Sequence, residues 1–390
     1  MKHKKKILLI TQMYPSGRTG TSVKTRNTIE FLQKHGYSID VCCLHHASMV
    51  KNELLLPDVR VFFVERDIIS RFTLSFALKA FSVLLSTMPF RVKKTFDDRL
   101  KTLIETLLHS EEYDFVFFDG FSTLQYAHHF DRKFTYIDDE DISDLMLRRL
   151  KETNNPLLKF FFYTEYLKCR RYEKKYLNYM GEVWAICKNS VKHLSLSTNR
   201  PMRIMPTLIL EQRNYFSSRS KHLVFTGLLS WMENINGLKW FLEFCWDDIL
   251  RKNPDRKLFV IGQKADQTFI DYLEKFKHVE YLGYVEKLED VYKNCAVAIA
   301  PLLINCGIKV KVVTYMSYGI PVVGLPESVW GMNESKGVLI AEKAEFAREI
   351  TFLLKSTVKR TKLSKEAHQN IAKNHSEKAL QGFFEEVGML

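Results

Sequence analysis

The chain has 390 residues and a formal charge of +13, from 58 Lys and Arg against 45 Asp and Glu. A single core rarely grows beyond about 250–300 residues, so two domains are expected. Hydrophobic residues make up 46% and charged residues 26%, which excludes a disordered or collagen-like chain. The basic surplus points to an anionic partner: nucleic acid, an anionic membrane surface or a phosphorylated small molecule.

Short β-rich apolar runs alternate with longer helical patterns, as in a parallel α/β sheet. Strand-like runs fall at residues 6–10, 39–44, 59–64, 115–118, 134–137 and 183–187. Helical patterns occupy 23–35, 94–108 and the long stretch from about 142 to 179. Within the last, Phe160-Phe161-Phe162-Tyr163 reads as core rather than as a lipid contact. The alternation restarts after Met205-Pro206, with strands at 223–226, 258–261, 279–282, 297–300, 322–323 and 338–340, and helices at 236–251 and 310–318. This gives domains 1–206 and 207–375, and a final segment 376–390 whose helix is expected to pack back on the first domain. Runs such as VFFVE at 61–65 and AVAIAP at 296–301 suit strands covered on both faces. Residues 1–206 carry 33 basic and 23 acidic side chains, so +10 of the surplus belongs to the first domain.

Seven scattered cysteines without zinc spacing argue for buried thiols in a reducing, cytoplasmic compartment. The apolar stretch after MKHKKK is strand-length and too short for a signal peptide. No run of about 18 apolar residues suggests a spanning helix. Residues 66–99 mix an apolar stripe with flanking cations, compatible with a buried helix or with one lying in a membrane surface.

Four clusters carry candidate chemistry. Gly17 and Gly20 lie in a strand-to-helix turn, where free N–H groups can face a ligand; an ordinary turn needing positive φ reads equally well, and GxGxxG is absent. Asp138-Asp139-Glu140-Asp141 follows the strand at 134–137. At a strand's carboxyl end these could orient an acceptor hydroxyl or stabilise developing positive charge, or simply favour a helix N-terminus. Asp119 is a weaker candidate, and His45-His46 reads as structural. In residues 301–324 a strand ends at Pro301, a turn at Gly307 follows, and a helix opens with Lys309 and Lys311. A helix N-terminus plus a cation suits a phosphate, but taken alone the pattern fits a solvated, lysine-bearing helix start better. Lys309 and Lys311 cannot face one ligand together, whereas Lys311 and Thr314 share a face.

The series Thr226-Gly227-Leu228-Leu229, Asn234, Gly237-Leu238, Gly283-Tyr284-Val285, Gly307-Ile308-Lys309-Val310-Lys311, Gly319-Ile320-Pro321 and Trp330-Gly331 resembles the retaining family 4 glycosyltransferases (glycosyl transferases group 1). The first domain resembles the family more loosely, through its opening strand and glycine loop, Arg26 and Tyr172-Glu173. The resemblance implies an α/β GT-B fold of two Rossmann-like domains facing across a cleft. The second domain would bind a nucleotide-sugar donor, and the first a glycan or polyprenyl-linked acceptor. No metal or other cofactor is expected, and nucleic acid drops out. By the same resemblance Lys311 meets the donor diphosphate, Gly307 and Ile308 supply backbone contacts, Thr226 and Gly227 line the site, and Tyr284 and Val285 lie near the base. Asp138 and Asp139 are expected to serve catalysis, with Gly17, Gly20 and Glu140 in the acceptor loops.

The implied activity is sugar transfer to a hydroxyl, in cell-surface polysaccharide or glycoconjugate synthesis, by a protein peripheral to the inner face of the cell membrane. One departure stands out: Thr314 occupies the position where the family carries a ribose-binding glutamate. A bond to a charged group is worth about 1.5–3 kcal/mol, so donor affinity would fall about 10- to 150-fold. A non-catalytic GT-B partner subunit is the alternative that this departure keeps open.

Overall fold

The computed structural model describes residues 4–17, 20–45, 56–65, 86–129, 134–138, 141–209, 216–304 and 308–390. The chain divides into two compact units, Met1–Met205 and Pro206–Leu390.

The first unit runs β1 (Lys6–Met13), α1 (Gly20–Lys34), β2 (Ser38–His45), β3 (Arg60–Glu65), α2 (Phe90–Thr95), α3 (Asp98–Ser110), β4 (Phe115–Asp119), a 3-10 helix (Phe121–His129), β5 (Phe134–Ile137), α4 (Ile142–Glu152), α5 (Pro156–Tyr176), β6 (Met180–Ala185), α6 (Lys188–Leu194) and β7 (Met202–Ile204). The sheet order is β3-β2-β1-β4-β5-β6-β7, and its strand pairs are parallel. The order reverses between β1 and β4, so the crevice beyond their carboxyl ends is where an open α/β sheet receives a ligand. Leu8, Ile10, Phe118 and Tyr136 of the sheet pack with Ile104, Tyr172 and Leu177 in one core.

The second unit repeats the plan with β8 (His222–Thr226), α7 (Met232–Phe241), α8 (Asp247–Lys252), β9 (Leu258–Ile261), α9 (Gln267–Leu273), β10 (Val279–Gly283), α10 (Leu288–Tyr292), β11 (Cys295–Ala300), α11 (Val310–Ser317), β12 (Val322–Gly324), β13 (Val338–Ile340), α12 (Phe346–Lys355), α13 (Thr357–Asn374) and α14 (Glu377–Glu386). Its parallel sheet has the order β10-β9-β8-β11-β12-β13, with the reversal between β8 and β11. Those are the two strands whose ends carry Thr226-Gly227 and the 301–311 segment. The last helix, α14, packs on α13 within this unit.

Local chemistry corrects several of the expected elements. The helical stretch 142–179 breaks into the α4–α5 hairpin because Pro156 disfavours a helical residue before it, and Asn155 instead caps α5 by accepting from Leu157 N (2.9 Å) and Leu158 N (3.3 Å). The 94–108 pattern breaks likewise at Asp97, whose carboxylate caps α3 through Arg99 N. In the 236–251 pattern a π-helical turn, Leu242–Trp246, joins α7 to α8. VFFVE is not covered on both faces: β3 is an edge strand with Phe63 45% exposed. AVAIA, by contrast, is wholly buried in β11. Phe160 and Tyr163 are not core residues, being 66% and 50% exposed. Cys42, Cys43, Cys169, Cys187, Cys245 and Cys295 are buried free thiols; Cys306, His46 and residues 66–85 of the apolar, cation-flanked stretch lie outside the described residues.

A missing side chain lets α7 close on the end of β11. A Cβ built on Gly237 would fall 2.0 Å from the carbonyl oxygen of Pro301. Backbone cannot yield as a flexible side chain can, so Gly237→Ala is expected to destabilise the second unit by about 3 kcal/mol. A lower urea midpoint is the measurement that checks it.

Candidate functional site

In the second unit β8 delivers Thr226 and Gly227 to the switch point, and α11 brings Lys311 to the same place. The Lys311 ammonium donates to Asn234 Oδ1 at 2.6 Å and lies 4.2 Å from the centre of the Phe225 ring. Asn234 is fixed in turn by its Nδ2, which donates to Leu228 O at 2.9 Å. A Cβ on Gly227 would come 2.8 Å from the ammonium and 2.9 Å from Asn234 Nδ2, so glycine is what leaves room for both. Gly262, at the end of β9, makes a similar approach to the carbonyl of Gly227.

Among the described residues no carboxylate pairs with Lys311. Lys311 is half-buried, and the protein packed around its ammonium costs it hydration. Burial therefore pushes its pKa down to about 7, with Lys309 adding to the effect. Beside it, α11 opens on Lys309 with no side-chain cap. The first-turn N–H groups of such a helix attract an anion, and an under-compensated cation one residue into the helix strengthens that field. Thr314 lies one turn further along the same face and is half-buried. Two buried tyrosines hold the loop from below: Tyr292 OH is 2.9 Å from Thr226 Oγ1, and Tyr315 OH accepts from Thr226 N at 2.5 Å. Tyr284, just beyond β10, is 54% exposed and presents a ring to solvent; Val285 follows it, half-buried. Ile308 is half-buried before α11, and Gly307 lies outside the described residues.

The first unit holds a separate polar cluster at the carboxyl ends of β4 and β5. Asp138 is 2% exposed and accepts from Tyr136 OH at 2.9 Å, while its backbone oxygen accepts from Lys24 Nζ at 3.0 Å. Asp141 is equally buried, adopts a left-handed conformation (φ 46°) and accepts from Ser190 Oγ at 2.8 Å. Burial raises the pKa of both, that of Asp138 well above the usual carboxylate range with the Asp141 charge adding to the effect, and that of Asp141 to about 6. Asp119 accepts from Thr25 Oγ1 at 2.6 Å. A further chain links Glu173 to Ser143, Ser197 and Arg170, and Ser143 Oγ lies 2.5 Å from His193 Nε2. Burial pushes Glu173 up to about 7.

Asp138 is thus a buried, engaged side chain, and Asp139 and Glu140 lie outside the described residues. Gly17 does need its positive φ, at 79°, and packs against the Arg26 side chain; Gly20 is the first residue of α1. The lysine's immediate supports, Phe225 and Asn234, were invisible as such in the sequence. They are 86 and 77 positions away from Lys311, and only the strand order brings them together.

Comparison with known proteins bears on the family and the fold. Residues 220–356 match the family model for glycosyl transferases group 1. An uncharacterized 44.6 kDa protein in the cps region of Klebsiella pneumoniae is 22% identical over 378 residues, covering 92% of this chain and 93% of that one. Among solved structures, TarM superposes with a TM-score of 0.71 at 10% identity over 99% of each chain. WaaG, a glycosyltransferase involved in lipopolysaccharide biosynthesis, gives 0.67 at 11% over 98% of this chain and 99% of its own. Anabaena HepE, solved with UDP and glucose, gives 0.66 at 12% over the whole of both chains. The architecture is therefore GT-B: two Rossmann-like units, each built on a parallel sheet.

The depressed lysine has a measurable sign. Unfolded, Lys311 titrates near 10.4, so between about pH 7 and 10 the unfolded chain keeps a proton that the folded one releases. Its penalty is full below pH 7 and is relieved as the pH rises. Lys311→Met is expected to stabilise the nucleotide-free protein by about 2–4 kcal/mol at neutral pH and to flatten that rise. Thermal melts of both proteins from about pH 6 to about pH 9 check this.

Proposed function

We propose that this GT-B chain, with its glycosyl transferases group 1 region in the second unit, is a retaining glycosyltransferase. It takes a sugar from a nucleoside-diphosphate donor to a hydroxyl of a glycan or lipid-linked acceptor in surface polysaccharide synthesis. The observation that carries the reading is the Lys311 ammonium, packed with no carboxylate partner among the described residues beside an uncapped helix N-terminus. The cps-region relative and the UDP found with HepE support the substrate class.

In the reaction the bond from the sugar's anomeric carbon to the donor phosphate breaks, and a bond from that carbon to the acceptor oxygen forms. The acceptor proton passes to the departing diphosphate. Negative charge grows on that diphosphate in the transition state, where Lys311 and the first-turn N–H groups of α11 stabilise it. Ile308 and, by the family resemblance, Gly307 are assigned backbone contacts to the donor, Thr226 and Gly227 the floor of the site, and Tyr284 with Val285 the border of the base. No carboxylate pair of the glycosidase kind is required, and the reading needs no metal. Asp138 is assigned a positioning role, holding the β5–α4 turn, with Gly17 and Gly20 in the neighbouring acceptor loop. The first unit's net +10 suits an acceptor presented at an anionic surface.

Thr314 favours a second reading, a donor-weakened partner subunit of another transferase. Calorimetric titration with UDP separates the two. Binding is expected, with proton uptake above pH 7, because the diphosphate raises the pKa of Lys311; affinity should therefore weaken as the pH climbs past 7. Lys311→Ala is expected to lower affinity at least 100-fold, a loss of about 3 kcal/mol. Absence of binding at millimolar UDP would overturn the enzyme reading. Thr314→Glu is expected to tighten donor binding about 10- to 100-fold. Transfer seen only in that variant would establish the partner-subunit reading instead.

A further inference from the structure

The α4–α5 hairpin leaves its tip uncovered. Leu157 is 79% exposed, Leu158 45%, Phe160 66% and Tyr163 50%, four large apolar residues within two turns of one helix. Every residue of 151–160 is exposed except the half-buried Thr153. This is an ordered prow: α4 packs along α5, and the Asn155 cap fixes the first turn. Scattered exposed hydrophobics are ordinary, but a contiguous group rimmed by polar residues marks an interaction surface.

Charge selects the occupant. Arg148 is paired with Asp144 at 2.7 Å, so the tip itself carries three cations, Arg149, Lys151 and Lys159, and one carboxylate, Glu152. A second copy docked tip to tip would set like charges against each other, whereas an anionic surface complements them. Spacing agrees with lipid. At 1.5 Å per residue Tyr163 sits about 9 Å behind Leu157, which matches the roughly 5–10 Å depth of interfacial insertion. A tyrosine at that level meets the headgroup region, and lysine stems can snorkel toward it. No described helix is long and apolar enough to cross a membrane. We propose that the hairpin tip inserts Leu157, Leu158 and Phe160 into the interface of an anionic lipid bilayer, with Lys151 and Lys159 on the headgroup phosphates. The proposal does not depend on sugar transfer and is read by binding alone.

Flotation of the full chain with vesicles tests it. Wild-type protein is expected to float with equal parts phosphatidylglycerol and phosphatidylcholine, to stay behind with phosphatidylcholine alone, and to lose binding as salt rises. The variant Leu157→Ser/Phe160→Ser/Tyr163→Ser is expected to partition at least about tenfold more weakly. Lys151→Glu/Lys159→Glu should also bind more weakly, with a flatter salt dependence. An unchanged melting temperature and an unchanged UDP-induced thermal shift in both variants would show that the fold and the second-unit site are intact. Equal flotation of the serine variant, or wild-type protein that fails to float at low salt, overturns the proposal. So does lipid-free dimerisation by light scattering that Phe160→Ser abolishes, which would make a second copy the occupant.

Discussion

The Lys311 ammonium rests on one aromatic face and one amide oxygen, which together replace only part of the water it has lost. Its surroundings are arranged to tolerate that deficit rather than to cancel it. Gly227 and Gly262 draw the ends of β8 and β9 together, and Gly237 lets α7 close on the end of β11. Asn234 grips the loop with its amide nitrogen and the lysine with its oxygen. A carboxylate in place of Asn234 would neutralise the cation and occupy the position an anionic ligand needs. The second unit therefore keeps an unfavourable charge in its unliganded state, a cost that binding of an anion beside Lys311 would relieve.

The first unit handles burial in the opposite way. Burial raises the pKa of Asp138, Asp141 and Glu173, and each accepts a hydrogen bond from a neighbouring hydroxyl, so these carboxyls are held toward their neutral forms. Their free-energy contribution declines as the pH rises from the carboxylate range toward 7, because the unfolded chain ionises first. That of Lys311 improves only above 7. The two units thus respond to pH in separate windows that meet near neutrality.

Much of this architecture was legible in the sequence. The strand runs at 6–10, 115–118 and 297–300 sit inside β1, β4 and β11, because uninterrupted apolar stretches of that length suit strands buried on both faces. Signals for the broken helices were also present, in Asn155-Pro156 and in Asp97, but the apolar period running through them masked the caps. VFFVE and Phe160 misled for a different reason. Whether a strand is central or at an edge, or a helix runs past its partner, depends on topology that no local pattern records. Of the candidate site, Lys311 was singled out through the family resemblance, since residue type and spacing alone fit a solvated, lysine-bearing helix start as well. Phe225 and Asn234 were not, since only the β8–β11 pairing makes them neighbours of a lysine far along the chain.

The raised carboxyls of the first unit also alter the accounting of surface charge. A formal count treats both aspartates and Glu173 as anions. Interior carboxyls that hold protons at neutrality leave the first unit more positive than its nominal +10. Its isoelectric point therefore lies above the value that residue counting gives, by virtue of groups that no solvent ion touches.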